Sequence, residues 1–210
     1  MTKYEDMLDD VMPELMGCSV DMVINALRNT CIDLLQKSWI YTQEQDPIAV
    51  VVGTAEYDLD SFAGYRVVGI TSAYFGDTRI NPLSAEMLKN TSRRWQTEAG
   101  SVEGYMLNDS NVLRLYRIPQ EAGELNMTVA LAPTRKSTGI ETFIYDLYSE
   151  GIAAGAKARL MAMPSKPFTD LNASMMYRAQ FSAVISDAKW RTKKSLASSN
   201  LMVSLQGAST

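Results

Sequence analysis

Apolar residues recur at helical spacing near both ends of the chain and at a spacing of two through its middle. Tyr4, Met7, Leu8 and Val11 share one face of a short acidic helix that Pro13 ends. Gly17-Cys18-Ser19 makes a break, after which Ser19 serves as an N-cap with Asp21 in the first turn. Val20, Val23, Ile24, Leu27, Cys31, Leu34 and Leu35 then mark the stripe of a long helix. It should run to about Trp39 or Tyr41, where the polar run Thr42-Gln43-Glu44-Gln45-Asp46-Pro47 breaks the pattern.

The period then becomes two. Ile48 to Val52 is a continuous β-branched and alanine run, and Tyr65 to Phe75 is rich in Val, Ile, Tyr and Thr. A turn falls near Asp60-Ser61, and Gly76-Asp77 followed by Thr78-Arg79-Ile80 reads as a hairpin. Pro82 and Ser84 open a polar helical insertion over residues 83–98, with Met87, Leu88 and Trp95 as its apolar contacts. Strands are expected over Val102 to Leu107, Val112 to Ile118 and Leu125 to Leu131, with turns at Asn108–Asn111 and Glu121–Gly123. Some six short strands between Pro47 and Pro133 predict a small antiparallel sandwich or barrel-like sheet.

Pro133 to Ile140 reads as a linker. A third helix is expected from about Glu141 to Met163, stopped by Pro164 and Pro167. Thr169 or Asp170 caps a fourth that continues to about Lys194, with Tyr177, Phe181, Val184, Ile185 and Ala188 as its stripe. The terminal helices need partners, and the simplest packing joins them. The predicted class is α+β: a helical bundle from both ends of the chain with an inserted antiparallel β-sandwich-like module. The boundaries are 1–46 and 134–195 for the bundle, 47–133 for the insertion and 196–210 for a flexible tail.

Composition narrows the chemistry. The chain has 210 residues, ordinary apolar content and a net charge of −4. The acidic balance argues against bulk attraction to nucleic acid. No apolar run approaches the roughly 20 residues a membrane helix needs, and Met1 to Asp6 lacks the order of a signal peptide, so synthesis in the cytoplasm is expected. Histidine is absent, which removes Ser-His-Asp and Cys-His catalysis and nearly all catalytic zinc sites. Cys18 and Cys31 have neither metal nor redox spacing and read as small buried hydrophobes. No catalytic residue, metal ligand or cofactor is assigned.

Four phrases, in this order and spacing, carry a resemblance. Met12-Pro13-Glu14-Leu15-Met16-Gly17-Cys18-Ser19 leads into the helix ending Lys37-Ser38-Trp39. Asp77-Thr78-Arg79-Ile80-Asn81-Pro82-Leu83-Ser84 and Trp95 follow. Then come Val112-Leu113-Arg114-Leu115-Tyr116-Arg117-Ile118-Pro119, with the strand ending Ala132-Pro133, and Tyr148-Ser149-Glu150-Gly151-Ile152-Ala153-Ala154-Gly155-Ala156 before the last helix. From about Leu8 to Trp190 the chain resembles the head-to-tail adaptors (connector, portal-adaptor or tail tubular protein A-like proteins) of short-tailed phages. The resemblance implies a virion protein made in the bacterial host. Twelve copies would form a ring beneath the capsid portal, with the tail nozzle below and double-stranded DNA passing through the hole.

Several residue groups are weighed within that frame. Gly151, Ala154, Gly155 and Ala158 put small side chains on one face of helix three. The first expectation is packing within the chain; the alternative is a subunit contact in the ring. Lys189, Arg191, Lys193 and Lys194 cluster where helix four is expected to end. They suit the helix dipole singly, and together form a docking patch for an acidic portal surface. Leu201, Met202, Val203 and Leu205 form an apolar cluster in the tail, expected to order against the portal. Arg93 and Arg94 beside Trp95 offer a stacking platform for nucleic acid, against the commoner reading of a buried tryptophan under solvated arginines. Acidic pairs such as Asp9/Asp10 and Asp58/Asp60 read as solvated turn acids rather than a carboxylate catalyst. The structural adaptor therefore stands against two alternatives: a tail-associated peptidoglycan hydrolase using carboxylates, and a DNA-binding module.

Overall fold

A computed structural model describes residues 1–60, 62–108 and 111–206, with side chains for all of these except Thr91 and residues 195–206. The expected turns at Asp60-Ser61 and Asn108–Asn111 fall partly outside the described residues. In chain order the elements begin with β1 (Thr2–Lys3), two 3-10 helices (Tyr4–Asp10 and Met12–Glu14) and α1 (Val20–Ser38). There follow β2 (Thr42–Glu44), β3 (Ile48–Val50), β4 (Glu56–Asp58), β5 (Tyr65–Phe75), β6 (Thr78–Arg79), β7 (Asn81–Pro82) and α2 (Ala85–Thr91). Then come β8 (Ala99–Gly100), β9 (Gly104–Leu107), β10 (Val112–Tyr116), β11 (Ile118–Pro119), β12 (Gly123–Pro133) and β13 (Gly139–Ile140). The chain closes with α3 (Thr142–Met161) and α4 (Leu171–Gln206).

It divides into two compact units: Met1–Tyr41 with Gly64–Arg66 and Ala132–Thr210, and Thr42–Ala63 with Val67–Leu131. In the first, helices from both ends of the chain pack together, α3 against α1 and α4. Val23, Leu27, Cys31, Leu34 and Leu35 of α1 are buried, as the stripe requires. Trp39 ends α1 in the left-handed region at φ 58°, with its N–H bonded to Leu35 O. Asp170 caps α4 by accepting from Ala173 N at 2.9 Å.

The first segment is a 3-10 helix rather than the α-helix its spacing suggested. Tyr4 and Met7, three residues apart, are the ones it buries, and a three-residue turn brings such positions into line. It is stitched to a distant segment, because β1 pairs antiparallel with β13, Thr2 opposite Ile140. Tyr4 N also donates to Thr138 O at 3.1 Å. The helix of α4 continues to Gln206, twelve residues past the expected end at Lys194. The run after Lys194 contains good helix formers and no proline, and the next glycine in the sequence is Gly207. A flexible segment was expected from residue 196; to Gln206 its backbone is helical, and residues 207–210 lie outside the described residues.

The second unit contains a four-stranded sheet in the order β4-β10-β9-β7. A larger sheet runs β2-β12-β5-β6, with β3 also pairing with β12. Most ladders with a stated direction are antiparallel, but β7 pairs parallel with β9, and β11 with β8. The wholly antiparallel expectation fails there because each parallel pair is joined by a connection long enough to cross over; the one between β7 and β9 contains α2. The helical insertion expected over 83–98 is helical only from Ala85 to Thr91, capped by Ser84 Oγ, which accepts from Met87 N at 3.1 Å. The polar run read as a break contains a strand, with Thr42, Gln43 and Glu44 opposite Ala130, Val129 and Thr128.

Candidate interface of the helical unit

The small-residue face of α3 is covered within the chain. A Cβ on Gly151 would lie 2.7 Å from Val184 Cγ1. A Cβ on Gly155 would fall inside the contact shell of Thr30 Cγ2 and 3.0 Å from the Phe181 ring. Ala154 and Ala158 are 2% and 4% exposed. Gly151 and Gly155 let α1 and α4 close on α3, which supports the packing within the chain that was the first expectation for Gly151, Ala154, Gly155 and Ala158. Gly151 and Ala154 also line the edges of surface grooves.

Lys189, Arg191, Lys193 and Lys194 are all exposed. Because α4 runs to Gln206, they are not in its last turn, and the dipole explanation lapses. Arg191 is paired with Asp187 at 2.8 Å. Lys189, Lys193 and Lys194 make no ion pair among the described residues. Trp190, in the middle of the cluster, is 66% exposed, a residue the sequence reading passed over. Leu201, Met202, Val203 and Leu205 fall on the helical backbone, and their side chains lie outside the described residues.

Two shallow grooves flank α3. One, of about 470 Å³, is lined by Asp146, Leu147, Glu150, Ala183, Asp187 and Arg191. The other, of about 300 Å³, is lined by Asp10, Glu14, Glu150, Lys157, Tyr177 and Gln180. They share Ser149 and Glu150. Glu14 accepts from Lys157 Nζ at 2.7 Å and from the Tyr177 hydroxyl, and these bonds hold its carboxyl below the usual range. Lys157 also lies over the Tyr177 ring at 5.5 Å. Tyr145 donates to Asp10 at 2.5 Å, and the carboxylate pushes the phenol up to about 12. The N-terminal 3-10 segments are thus fastened to α3 and α4, while Asp146 and Glu150 stay exposed with no ion-pair partner among the described residues.

In the sheet unit the arginine-tryptophan platform does not form. Trp95 is 8% exposed and packs with Leu88 and Tyr116. The cation over its ring is Arg114, at 5.5 Å, while Arg93 and Arg94 point to solvent. Arg114 bonds Glu56 at 2.6 Å and Gln96 O at 2.8 Å. Arg117 lies near Glu98 and Glu103, and the Tyr116 hydroxyl donates to Glu98 at 2.9 Å. Among the acidic pairs, Asp9, Asp58 and Asp60 are exposed and Asp10 is bonded to Tyr145. Among the described residues no helix is long and apolar enough to cross a membrane.

Terminal helices packed together and a multi-strand sheet region make the chain a mixed α+β protein. The chain belongs to the SU10 adaptor protein family, whose model matches residues 2–203. That membership supports a structural role as a phage connector. No curated protein matches the chain.

Proposed function

We propose that the chain forms a twelve-membered ring between the capsid portal and the tail nozzle of a short-tailed phage. The ring seals a channel through which double-stranded DNA is packaged, retained and ejected, without catalysis or a cofactor. The sheet unit is sandwich-like in this reading. The end of α4 beyond Lys194, carrying Leu201, Met202, Val203 and Leu205, engages the portal. The observation that carries the proposal is the family match, which spans residues 2–203 and so reaches into both units and into that helix end as far as Val203. Burial of Trp95 weighs against the DNA-binding alternative by removing its stacking surface.

Mixing the purified chain with portal rings and imaging the product tests the assignment. A second ring stacked coaxially on the portal is expected. Deletion from Ser195 onward should leave a folded chain that no longer joins. Bare portal rings with the full chain would overturn the assignment, and normal joining by the truncated chain would overturn the role of the helix end.

A further inference from the structure

The helical unit carries opposite charge on opposite sides of α4. Tyr177, Gln180, Val184, Asp187 and Arg191 follow at spacings of three and four, so they share the face that lines the two grooves. Of the cations on that side, Lys157 and Arg191 are each paired with a carboxylate, and Lys194, three residues beyond Arg191, is exposed. Asp10, Asp146 and Glu150 outnumber Lys194, so the side is net acidic. Arg178, Lys189 and Lys193 are spaced by eleven and four residues, which places them on one other face. Gln180 and Lys189 are nine residues apart, about two and a half turns, so the two faces point in opposite directions. Arg178, Lys189 and Lys193 are exposed and make no ion pair among the described residues.

The charges also match in height. Lys189 is two residues from Asp187, which lines the groove with Asp146 and Glu150, a rise of about 3 Å along the helix. Arg178 is one residue from Tyr177, which lines the groove with Asp10 and Glu14. A rotation about an axis along α4 therefore brings the basic side of one copy to the acidic side of the next, level with level. Such a heterologous contact closes into a ring when the rotation closes.

We propose that this is the seam between neighbouring copies: Lys189 and Lys193 of one chain meet Asp146 and Glu150 of the next, and Arg178 meets Asp10. Lys189 and Lys193, expected from sequence to meet an acidic portal surface, are assigned to the neighbouring copy instead. The assignment rests on the ring reading. The charges set register and rate of encounter more than affinity, so ring formation should weaken as salt rises.

Charge exchange tests it. Lys189→Glu with Lys193→Glu should cut ring formation on portals at least tenfold, and so should Asp146→Lys with Glu150→Lys. A one-to-one mixture of these two variants, or one chain carrying all four changes, should restore it, because every seam again joins opposite charges. If the lysines contact the portal, the fourfold variant stays defective, and the proposal is overturned. If the unaltered chain does not join portals, the ring reading fails by itself. The seam is then read on the chain alone, by carbodiimide coupling of ¹⁵N-labelled and unlabelled chains at low salt. Peptides joining Lys189 or Lys193 of one chain to Asp146 or Glu150 of the other are expected; their absence overturns the seam.

Discussion

The two units use their cations differently. In the sheet unit Arg114 is held by Glu56 and Gln96 O over the Trp95 ring, and Arg117 lies between Glu98 and Glu103. Those two charges are taken up within the unit, while Arg93 and Arg94 of the same unit face solvent. In the helical unit cohesion comes from close approach of helices across small residues, and Arg178, Lys189 and Lys193 are left facing solvent. A cation taken up within its own fold offers little to a neighbour. In the seam proposed above, the cations of α4 that face solvent are the ones that meet a neighbour.

Three changes sharpen or break this contrast. The largest effect is expected where helices touch. Gly155→Ala should destabilise the chain by about 2 kcal/mol in urea unfolding, even though alanine gains up to about 1 kcal/mol in helix propensity. The new methyl meets Thr30 Cγ2, which is fixed by the bond from Thr30 Oγ1 to Ala26 O at 2.8 Å. Thr30→Ser removes that carbon and should recover most of the loss in the double variant. Next, Arg114→Ala should cost about 1–2 kcal/mol, from the cation–π contact and a partly buried ion pair, whereas Lys189→Ala stays within about 0.5 kcal/mol. Equal effects by thermal unfolding would erase the contrast.

The smallest effect is a pH dependence. Glu14 is held below its ordinary range chiefly by Lys157 and then by Tyr177. Its contribution is therefore present above the unfolded carboxylate range near pH 4.3 and lost as pH falls through the lower folded value. The carboxylate is half exposed, so the contribution is under about 1 kcal/mol. Glu14→Gln should be less stable than the unaltered chain at pH 7, and the gap should narrow towards pH 3. A gap that widens on acidification would contradict the clamp.

Where burial follows a period, the sequence reads well. The stripe from Val23 to Leu35 and Ser19 at the N-cap position locate α1 to within a residue at its start, although the Ser19 side chain makes no capping bond and Val20 is exposed; Pro164 lies just beyond α3 as expected. Thr42–Glu44 escaped because all three residues are exposed, so no alternation marks them. The 3-10 helix was taken for an α-helix because four apolar residues in eight fit either turn. The basic cluster of α4 was legible as a cluster, but not as two faces. Ending the helix at Lys194 made all four cations look like a terminus, while the carboxylates of the opposite side come from Asp10, Asp146 and Glu150, far away in sequence. Trp190 carried no signal, since a lone tryptophan in a helix is more often buried.

The stitch between Thr2 and Ile140 bears on how the chain is made. Emerging from a ribosome at about 5–20 residues per second, the N-terminal strand waits roughly ten seconds or longer for its partner to be synthesised. α1 waits nearly as long for α3 and longer for α4, while the strands from Thr42 to Leu131 find their partners sooner. Nascent α1 thus keeps part of its apolar face open until α3 and α4 are made, and the end of the described chain completes the core that its beginning starts.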